Sequence, residues 1–200
     1  MGRKASLKKR KEISRKVNIW LSQLLVDLQY ENLQELTMDD IARIAGRSKS
    51  TIYEYFKSKE EVLKAACQTR IDSLMNAILA LNQQQLDGVE HYTHLIEIFA
   101  EGTTGISIAF LQSIKQNYPN AWNVIDTFTD QYVTLLQGHY AQGIEKGIYN
   151  AISVELLGSL DKLFIIQVVT NPTIFTDEKY TISNLIRDYL NLRLLGLLKR

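Results

Sequence analysis

The sequence predicts an all-α fold of about nine helices, on the strength of three observations. Apolar residues recur at intervals of three and four along most of the 200-residue chain, the spacing that places them on one face of an α-helix. Ser, Thr or Asp precedes many of these stretches, where its side chain can accept hydrogen bonds from the free N–H groups of a helix. The chain contains two prolines and 46% hydrophobic residues, which suits a helical protein with a substantial core.

The first helix is predicted from about Leu7 to Tyr30. Its inward stripe comprises Ile13, Val17, Trp20, Leu21, Leu24, Leu25 and Leu28. Asn32 is expected to cap its C-terminal end, because asparagine reaches the left-handed conformation more readily than most residues.

Positive charge is concentrated at the N-terminal end. Residues 1–64 carry 14 Lys and Arg against 9 Asp and Glu, a net charge of +5, whereas residues 65–200 carry 9 against 13, a net charge of −4. The basic residues of segment 1–16 can form a solvated tail or neutralise phosphates without reading a base sequence. The asymmetry favours a polyanionic partner for the N-terminal part alone.

The segment from Thr37 to Phe56 predicts two short helices joined by a tight turn. Thr37 and Ser48 can cap the two helices, and Gly46 can end the first because glycine adopts the left-handed conformation without strain. Small residues at the turn let the helices cross closely, which is typical of a helix-turn-helix. Ser58 then begins a further helix, with Glu61 completing a capping box.

The outer face of the second short helix carries Lys49, Ser50 and Tyr53. All three side chains can donate hydrogen bonds to base edges or phosphates in a major groove. Glu54 lies among them; phosphate would repel its carboxylate, although a cytosine amine could donate to it.

This part of the chain, about residues 10 to 66, resembles the TetR family of bacterial transcriptional regulators. The match runs through Thr37, Ile41-Ala42, Ala45-Gly46, Ser48, Thr51-Ile52-Tyr53, Tyr55-Phe56, Ser58-Lys59-Glu60 and Val62. The chain departs from the family at Arg47, where a small apolar residue is usual, and at Asn32-Leu33, where Gly-Tyr or Gly-Phe is usual.

The resemblance implies a helix-turn-helix DNA-binding domain over residues 1–57, with its motif at about 37–56, and a helical effector-binding and dimerisation domain over residues 58–200. Double-stranded operator DNA is the expected partner. We expect base contacts from Lys49, Ser50 and Tyr53. Backbone contacts are expected from Thr37, Arg47, Ser48, Thr51, Tyr55 and Lys59.

The same periodicity predicts the later helices. They are expected at about residues 59–84, 89–101, 106–117, 119–146 and 154–171, with a ninth that opens at Thr176. The last two helices are more apolar than a one-sided surface pair requires. Burial within one chain would cover this apolar band. So would a homodimer in which two helices of each chain form a four-helix bundle, as the resemblance implies. The candidate dimer contacts are Leu157, Phe164, Tyr189, Leu192 and Leu195.

Aromatic residues are frequent in the fifth to seventh helices. Most are expected to pack in a core, yet the resemblance implies an effector pocket enclosed by these helices and the fourth. An apolar cavity with few polar groups suits a small organic ligand. The candidate lining residues are Phe99, Phe110, Trp122, Phe128, Tyr132 and His139.

Motifs of enzymes and cofactors are absent from the sequence. It contains no Gly-rich phosphate loop, nucleophile elbow or paired-cysteine metal motif. His91 and His94 lie three residues apart, a spacing better explained by a solvated helical face than by a metal site. Cys67 is the only cysteine and is expected in the core. The chain has neither a secretory signal nor the run of about 20 apolar residues that a membrane span requires, so we expect a cytoplasmic protein without a membrane partner.

These observations predict a repressor that a small apolar ligand releases from a palindromic operator. A ligand among the fifth to seventh helices would tilt the fourth helix and the DNA-binding part with it. An activator or a ligand-independent DNA-binding protein of the same fold stays open, because the sign of regulation depends on where the operator lies. A helical ligand carrier or enzyme is the alternative from another class, and sequence-selective DNA binding would exclude it.

Overall fold

A computed structural model of the protein describes residues 10–171 and 181–199. This part consists of α-helices, with a 3-10 turn at Leu28–Tyr30 and without a β-strand. Within these two ranges the nine helices are α1 (Arg15–Asp27), α2 (Met38–Ile44), α3 (Lys49–Tyr55), α4 (Lys59–Asn82), α5 (Gly88–Gly102), α6 (Ile108–Asn117), α7 (Pro119–Glu145), α8 (Val154–Thr170) and α9 (Ile182–Leu197). The predicted fold class is confirmed. Across the two described ranges, no helix combines the length and apolar character needed to cross a bilayer.

Helix α1 begins later than the sequence predicts. Residues 10–14 are not helical, and the carbonyl of Ser14 accepts the first bonds of the helix from Val17 and Asn18. Ile13, predicted to face inward, is 47% exposed. The prediction failed here because the backbone N–H of Lys11 binds a carbonyl of α3 instead of continuing a helix. The basic residues before Arg10 lie outside the described residues.

The turn after α1 also differs from its prediction. No non-glycine residue in the described ranges has a positive φ, so Asn32 does not form a left-handed cap. Its side-chain oxygen instead accepts the Gln34 N–H at 3.2 Å, and its carbonyl accepts the Glu35 and Leu36 N–H groups at 3.1 Å each. Asparagine therefore closes this turn through its side chain, an alternative that such residues offer to a backbone turn.

The N-terminal core lies between α1, α2, α3 and the first half of α4. The remaining predicted stripe of α1 is buried in it: Val17, Trp20, Leu21, Leu24, Leu25 and Leu28. Cys67 is buried there as expected, and burial raises the pKa of its thiol to about 12. The same core includes Phe110 and Tyr118 from the region of α6 and α7, so the helix-turn-helix part packs directly on the C-terminal helices.

A second core fills the space between α4, α5, α7, α8 and α9. Most predicted helix ends in this part agree with the structure, including Pro119 at the first position of α7. The expected start of the ninth helix at Thr176 lies outside the described residues; α9 begins at Ile182, where the Thr181 side chain accepts the Asn184 N–H. The Lys57 N–H, rather than that of Ser58, binds the Glu61 carboxylate at 2.7 Å, so the capping box predicted for α4 is only half formed.

Candidate DNA-binding face and effector cavity

Helices α2 and α3 form the helix-turn-helix predicted from the sequence. Thr37 Oγ1 accepts the Asp40 N–H at 3.2 Å, and Asp40 Oδ2 accepts the Thr37 N–H at 3.1 Å, which is a capping box. The hydrogen bonds from the side chain and backbone of Thr37 lower the pKa of Asp40. Gly46 ends α2 with a φ of 62°, so that the Arg47 N–H reaches the Ala42 carbonyl at 2.9 Å.

Helix α3 turns one face toward solvent. Ile52 is fully buried and Phe56 is 3% exposed, and these two residues fix the orientation of the helix. Lys49 and Ser50 are exposed, and Tyr53 is 37% exposed. The structure therefore brings the three expected base-contacting residues to one surface.

Lys49 is oriented by Asp39 of α2. Lys49 Nζ lies 2.7 Å from Asp39 Oδ1, and its hydrogen bond to the Asp39 carboxylate raises the pKa of Lys49. Both side chains are more than half exposed, and such surface pairs contribute little stability. Lys49 can therefore exchange Asp39 for an acceptor on DNA.

The N-terminal segment binds the end of α3, a contact that the sequence did not predict. The Lys11 N–H donates to the Glu54 carbonyl at 3.0 Å, and Lys11 Nζ lies 2.7 Å from Glu54 Oε2. The guanidinium of Arg10 donates to the Tyr53 carbonyl. These bonds satisfy carbonyls that the end of a helix leaves free. The ammonium of Lys11 also offsets the negative charge of Glu54, which phosphate would otherwise repel.

The other expected DNA contacts lie around the same surface. Ser48 Oγ accepts the Thr51 N–H at 3.1 Å and lies 2.9 Å from Ser50 Oγ. Arg47 is exposed. Tyr55 is half-buried and packs on the N-terminal core, which leaves part of its ring available at the surface.

Lys59 differs from the other expected contacts because its ammonium faces the protein. Nζ donates to the carbonyls of Leu33 at 3.2 Å, Gln34 at 2.9 Å and Leu36 at 3.0 Å. It also lies 5.6 Å from the centre of the Tyr118 ring. The sequence could not show this, because the partners come from two other parts of the chain.

An apolar cavity lies between α5, α6, α7, α8 and α9. It contains about 980 Å³ of empty space, part of it open to solvent. Four of the six expected lining residues border it: Phe99, Trp122, Phe128 and Tyr132. Helices α8 and α9, which the prediction did not include, supply much of the remaining wall, including Phe164 and Tyr189.

Two expected lining residues lie elsewhere. Phe110 is buried in the N-terminal core instead. His139 lies beyond the end of the cavity, with Nε2 2.7 Å from the Tyr149 hydroxyl and its ring stacked on those of His91 and Tyr92. Burial, with a smaller effect of the nearby His91, lowers the pKa of His139 to about 4. No set of three or more His, Cys, Asp or Glu is placed to hold a metal within residues 10–171 and 181–199.

An ion pair joins α8 to α9, and its carboxylate, Asp161, borders the cavity. Asp161 is 1% exposed, and Arg193 Nη2 lies 2.9 Å from its Oδ1. The Tyr189 hydroxyl donates to the same oxygen at 2.6 Å, and the Tyr140 hydroxyl donates to Oδ2 at 2.9 Å. The pairing with Asp161 raises the pKa of Arg193 despite the opposing effect of burial. The single Asp of the apolar α8 and the two Arg residues of α9 were the sequence features that could have indicated this pair.

Exposed leucines are concentrated on α8 and α9. Leu156, Leu160 and Leu163 of α8 are 41–54% exposed, and Leu192 and Leu195 of α9 are each 70% exposed. The three α8 residues were not predicted as dimer contacts. Two other expected dimer contacts, Phe164 and Tyr189, stack on each other within the chain, with their ring centres 3.9 Å apart. Leu157 is 3% exposed and belongs to the second core, so this conformation does not offer its side chain to a partner.

Comparisons with known proteins agree with this geometry. The profile of the family described as "Bacterial regulatory proteins, tetR family" matches residues 30–66, the segment that contains α2, α3 and the start of α4. An uncharacterized HTH-type transcriptional regulator of Bacillus subtilis, YvaF, is 25% identical over 93 residues. That match covers 46% of this chain and 49% of the relative, so the chain matches about half the length of this curated protein.

Solved structures of similar fold cover almost the whole chain. The fatty acid degradation regulator FadR from Bacillus halodurans has a TM-score of 0.67 and 23% identity, covering 92% of this chain and 97% of that one. FadR from Bacillus subtilis, in complex with stearoyl-CoA, has a TM-score of 0.66 and 21% identity, covering 89% and 98%. At these identities the likeness establishes the fold. The helix-turn-helix segment is therefore similar to the family described as "Bacterial regulatory proteins, tetR family", and the chain as a whole shares the fold of these solved regulators.

Proposed function

We propose that the protein is a homodimeric regulator of transcription that binds a palindromic operator and releases it when a small apolar effector enters the cavity. The observation that carries this proposal is the exposed face of α3, where Lys49, Ser50 and Tyr53 lie together on a family-typical helix-turn-helix. Residues 1–57 would form the DNA-binding part, and residues 58–200 the effector-binding and dimerisation part. Such a protein would work in the cytoplasm, where bacterial DNA is accessible.

Base contacts are assigned to Lys49, Ser50 and Tyr53. A lysine can donate hydrogen bonds to guanine acceptors in the major groove. The hydroxyl groups of Ser50 and Tyr53 can either donate a hydrogen bond to a base or accept one from it. Backbone contacts are assigned to Thr37, Arg47, Ser48, Thr51 and Tyr55. These contacts would hold the register of α3 without reading sequence.

The leucine face of α8 and α9 supports a homodimer. Apart from Leu79 on α4, all the strongly exposed leucines in the described ranges lie on these two helices. Exposed apolar residues concentrated in this way mark an interaction surface. A two-fold axis through it would present two copies of α3 to successive major grooves. The residues proposed for the dimer interface are therefore Leu156, Leu160, Leu163, Leu192 and Leu195. Exposed leucines of α8 take the place of Leu157, whose side chain is buried.

The lining of the cavity supports an apolar effector. Asp161 is the buried carboxylate that borders it, and Arg193 already offsets that charge. A charged group placed there would lose its hydration without gaining a partner. The buried part of the effector is therefore uncharged, and a polar part would lie near Lys115 and Asp126 at the rim. The FadR of Bacillus subtilis was solved with stearoyl-CoA, a molecule with a long apolar chain.

Release requires that the effector prefer the DNA-free conformation. A ligand with equal affinity for free and DNA-bound protein would shift no equilibrium, however tightly it bound. By reciprocity, operator DNA must weaken effector binding by the same factor.

The test is salt-dependent binding of the purified protein to the DNA upstream of its own gene and to a random duplex of equal length. We expect a palindromic site bound about a thousandfold more tightly than random DNA, with two chains per site. Weak binding to both duplexes at every salt concentration would contradict the assignment of this DNA as its target. Selective binding by a single chain would contradict the proposal that the protein binds DNA as a dimer, but it would leave the proposed regulation of transcription intact.

A further inference from the structure

The ammonium of Lys59 is fully occupied by the loop that precedes α2. It has three hydrogens to donate, and three backbone carbonyls lie within 3.2 Å, those of Leu33, Gln34 and Leu36. Hydrogen bonds from charged groups are among the stronger ones in proteins. A contact between Lys59 and a DNA phosphate would have to break this arrangement.

Tyr118 binds the same loop from the opposite side. Its hydroxyl donates to the Leu33 carbonyl, so that this oxygen accepts from both Tyr118 and Lys59. The tyrosine is 4% exposed, and its ring lies under the Lys59 ammonium at 5.6 Å, which adds a cation–π contact. Lys59, Tyr118 and the carbonyls of residues 33–36 together form one cluster, which we call the loop tether.

Neighbouring residues strengthen the connection between this loop, α4 and the junction of α6 with α7. Gln34 Nε2 donates to Asn117 Oδ1 at 3.1 Å. Glu60, next to Lys59, accepts from the backbone and side-chain nitrogens of Asn120 at 2.9 and 3.0 Å. The last turn of α6 and the first turn of α7 are therefore bonded to both the loop and α4.

The loop tether lies between the helix-turn-helix and the cavity. On one side, residues 33–36 lead directly into Thr37, the N-cap of α2. On the other side, Lys115 and Trp122 flank Tyr118 in the chain, and both border the cavity. Lys115 Nζ lies 5.2 Å from the centre of the Trp122 ring. A cavity occupant that displaces Trp122 thus moves the turn that holds the loop.

We propose that Lys59 is a positioning residue rather than a phosphate contact: with Tyr118 it fastens the loop before α2 to the α6–α7 junction and so sets the orientation of α2 and α3. Cavity occupancy reaches the recognition helix through this junction, and not only by a tilt of α4 along its length. The DNA-binding consequence rests on the proposed function, whereas the tether itself does not.

Amide hydrogen exchange of the DNA-free protein tests the tether directly. Lys59→Met removes the ammonium but keeps most of the side chain's length, and Tyr118→Phe removes only the hydroxyl. Lys64→Met, an exposed lysine later on α4, is the matched control. We expect exchange in α2 to be about tenfold faster in the first two variants, because each loses a hydrogen bond that restrains the start of the helix, and unchanged in the control.

Operator binding at several salt concentrations separates positioning from phosphate contact. Lys59→Met is expected to weaken operator binding by about tenfold with an unchanged salt slope, since no released counterion is lost. Tyr118→Phe should act in the same direction, and the double variant should lose less than the product of the two effects. Arg47→Met, which removes a proposed contact to the DNA backbone, provides the comparison and should lower the slope by about one unit.

Each result decides the matter. A slope that falls by about one unit in Lys59→Met, with wild-type operator binding in Tyr118→Phe, would show that Lys59 binds phosphate and would overturn the proposal. Wild-type exchange in both variants would overturn it as well. If Lys59→Met does not fold, Tyr118→Phe decides alone through the same two measurements. If the wild-type protein does not select an operator, the proposed function fails, while the exchange experiment still tests the tether.

Discussion

The exposed leucines of α8 and α9 give a prediction whose size follows from the structure. Leu192 and Leu195 are each 70% exposed in the single chain. Burying a whole leucine side chain contributes about 1.5–3 kcal/mol, so burial of the remaining exposed part of each would contribute about 1–2 kcal/mol. A two-fold interface contains every residue twice. Replacing both leucines by alanine should therefore make the free energy of dimerisation less favourable by several kcal/mol, reduced by the smaller contribution that the buried alanine side chains still make.

The assay is sedimentation of the wild-type protein and the Leu192→Ala/Leu195→Ala variant across a dilution series. A loss of about 3–4 kcal/mol raises the dimer dissociation constant by a factor of several hundred. We expect a wild-type dimer at micromolar concentration and a variant that is largely monomeric there. Circular dichroism checks that the variant keeps its helices, as it should because both side chains are mostly in solvent in the single chain.

Leu79→Ala is the matched control, because Leu79 is 54% exposed but lies on α4. Its replacement should leave the dissociation constant unchanged. A double variant that associates like the wild-type protein would refute the placement of the interface. A wild-type protein that stays monomeric at micromolar concentration would refute the dimer.

Two further predictions concern stability, and thermal or urea unfolding measures both. Asp161→Ala leaves the partly buried guanidinium of Arg193 without its partner and should cost about 1–3 kcal/mol. Asp161→Leu combined with Arg193→Met should recover much of this loss, and equal stability of the three proteins would contradict the proposed role of the pair. A Cβ atom at Gly143 would lie 2.0 Å from the ring of Tyr149, so Gly143→Ala should destabilise by about 1–3 kcal/mol, while Gly138→Ala, with free space around it on the same helix, should be neutral or stabilise by up to about 1 kcal/mol. The opposite order of the two glycine variants would refute the close packing of α7 on Tyr149.

Most of the fold could be predicted because local chemistry determines it. Thr37 and Ser48 cap their helices as their side chains suggest, and Gly46 adopts the positive φ that its position requires. The periodic stripes of α1 and α4 are buried almost completely. The failures occurred at chain segments whose conformation depends on distant partners. Residues 10–14 appeared to continue α1 until the structure placed Lys11 on α3.

The candidate cavity was predicted less well than the DNA-binding face, for a geometric reason. Periodicity indicates which face of a helix is apolar, but not which neighbour covers it. Phe110 and Phe128 looked equivalent in the sequence, yet the first is buried in the N-terminal core and the second borders the cavity. The wall from α8 and α9 was missed because those helices had been assigned to the dimer alone, whereas α8 and α9 border the cavity with Phe164 and Tyr189 and carry the leucine face on other positions.

Three charged residues share a physical feature. The sequence placed Glu54 beside phosphate and Lys59 on the DNA backbone, and it predicted nothing for Asp161. Their partners lie 43, 23 to 26 and 32 residues away in the chain, beyond the reach of any local pattern. In each case the partner changes the role of the charge: Glu54 holds the N-terminal segment, Lys59 holds the loop before α2, and Asp161 joins α8 to α9. A charge without a local explanation is therefore a specific reason to search for a tertiary partner, because burying or fixing a charge costs free energy that only such a partner can offset.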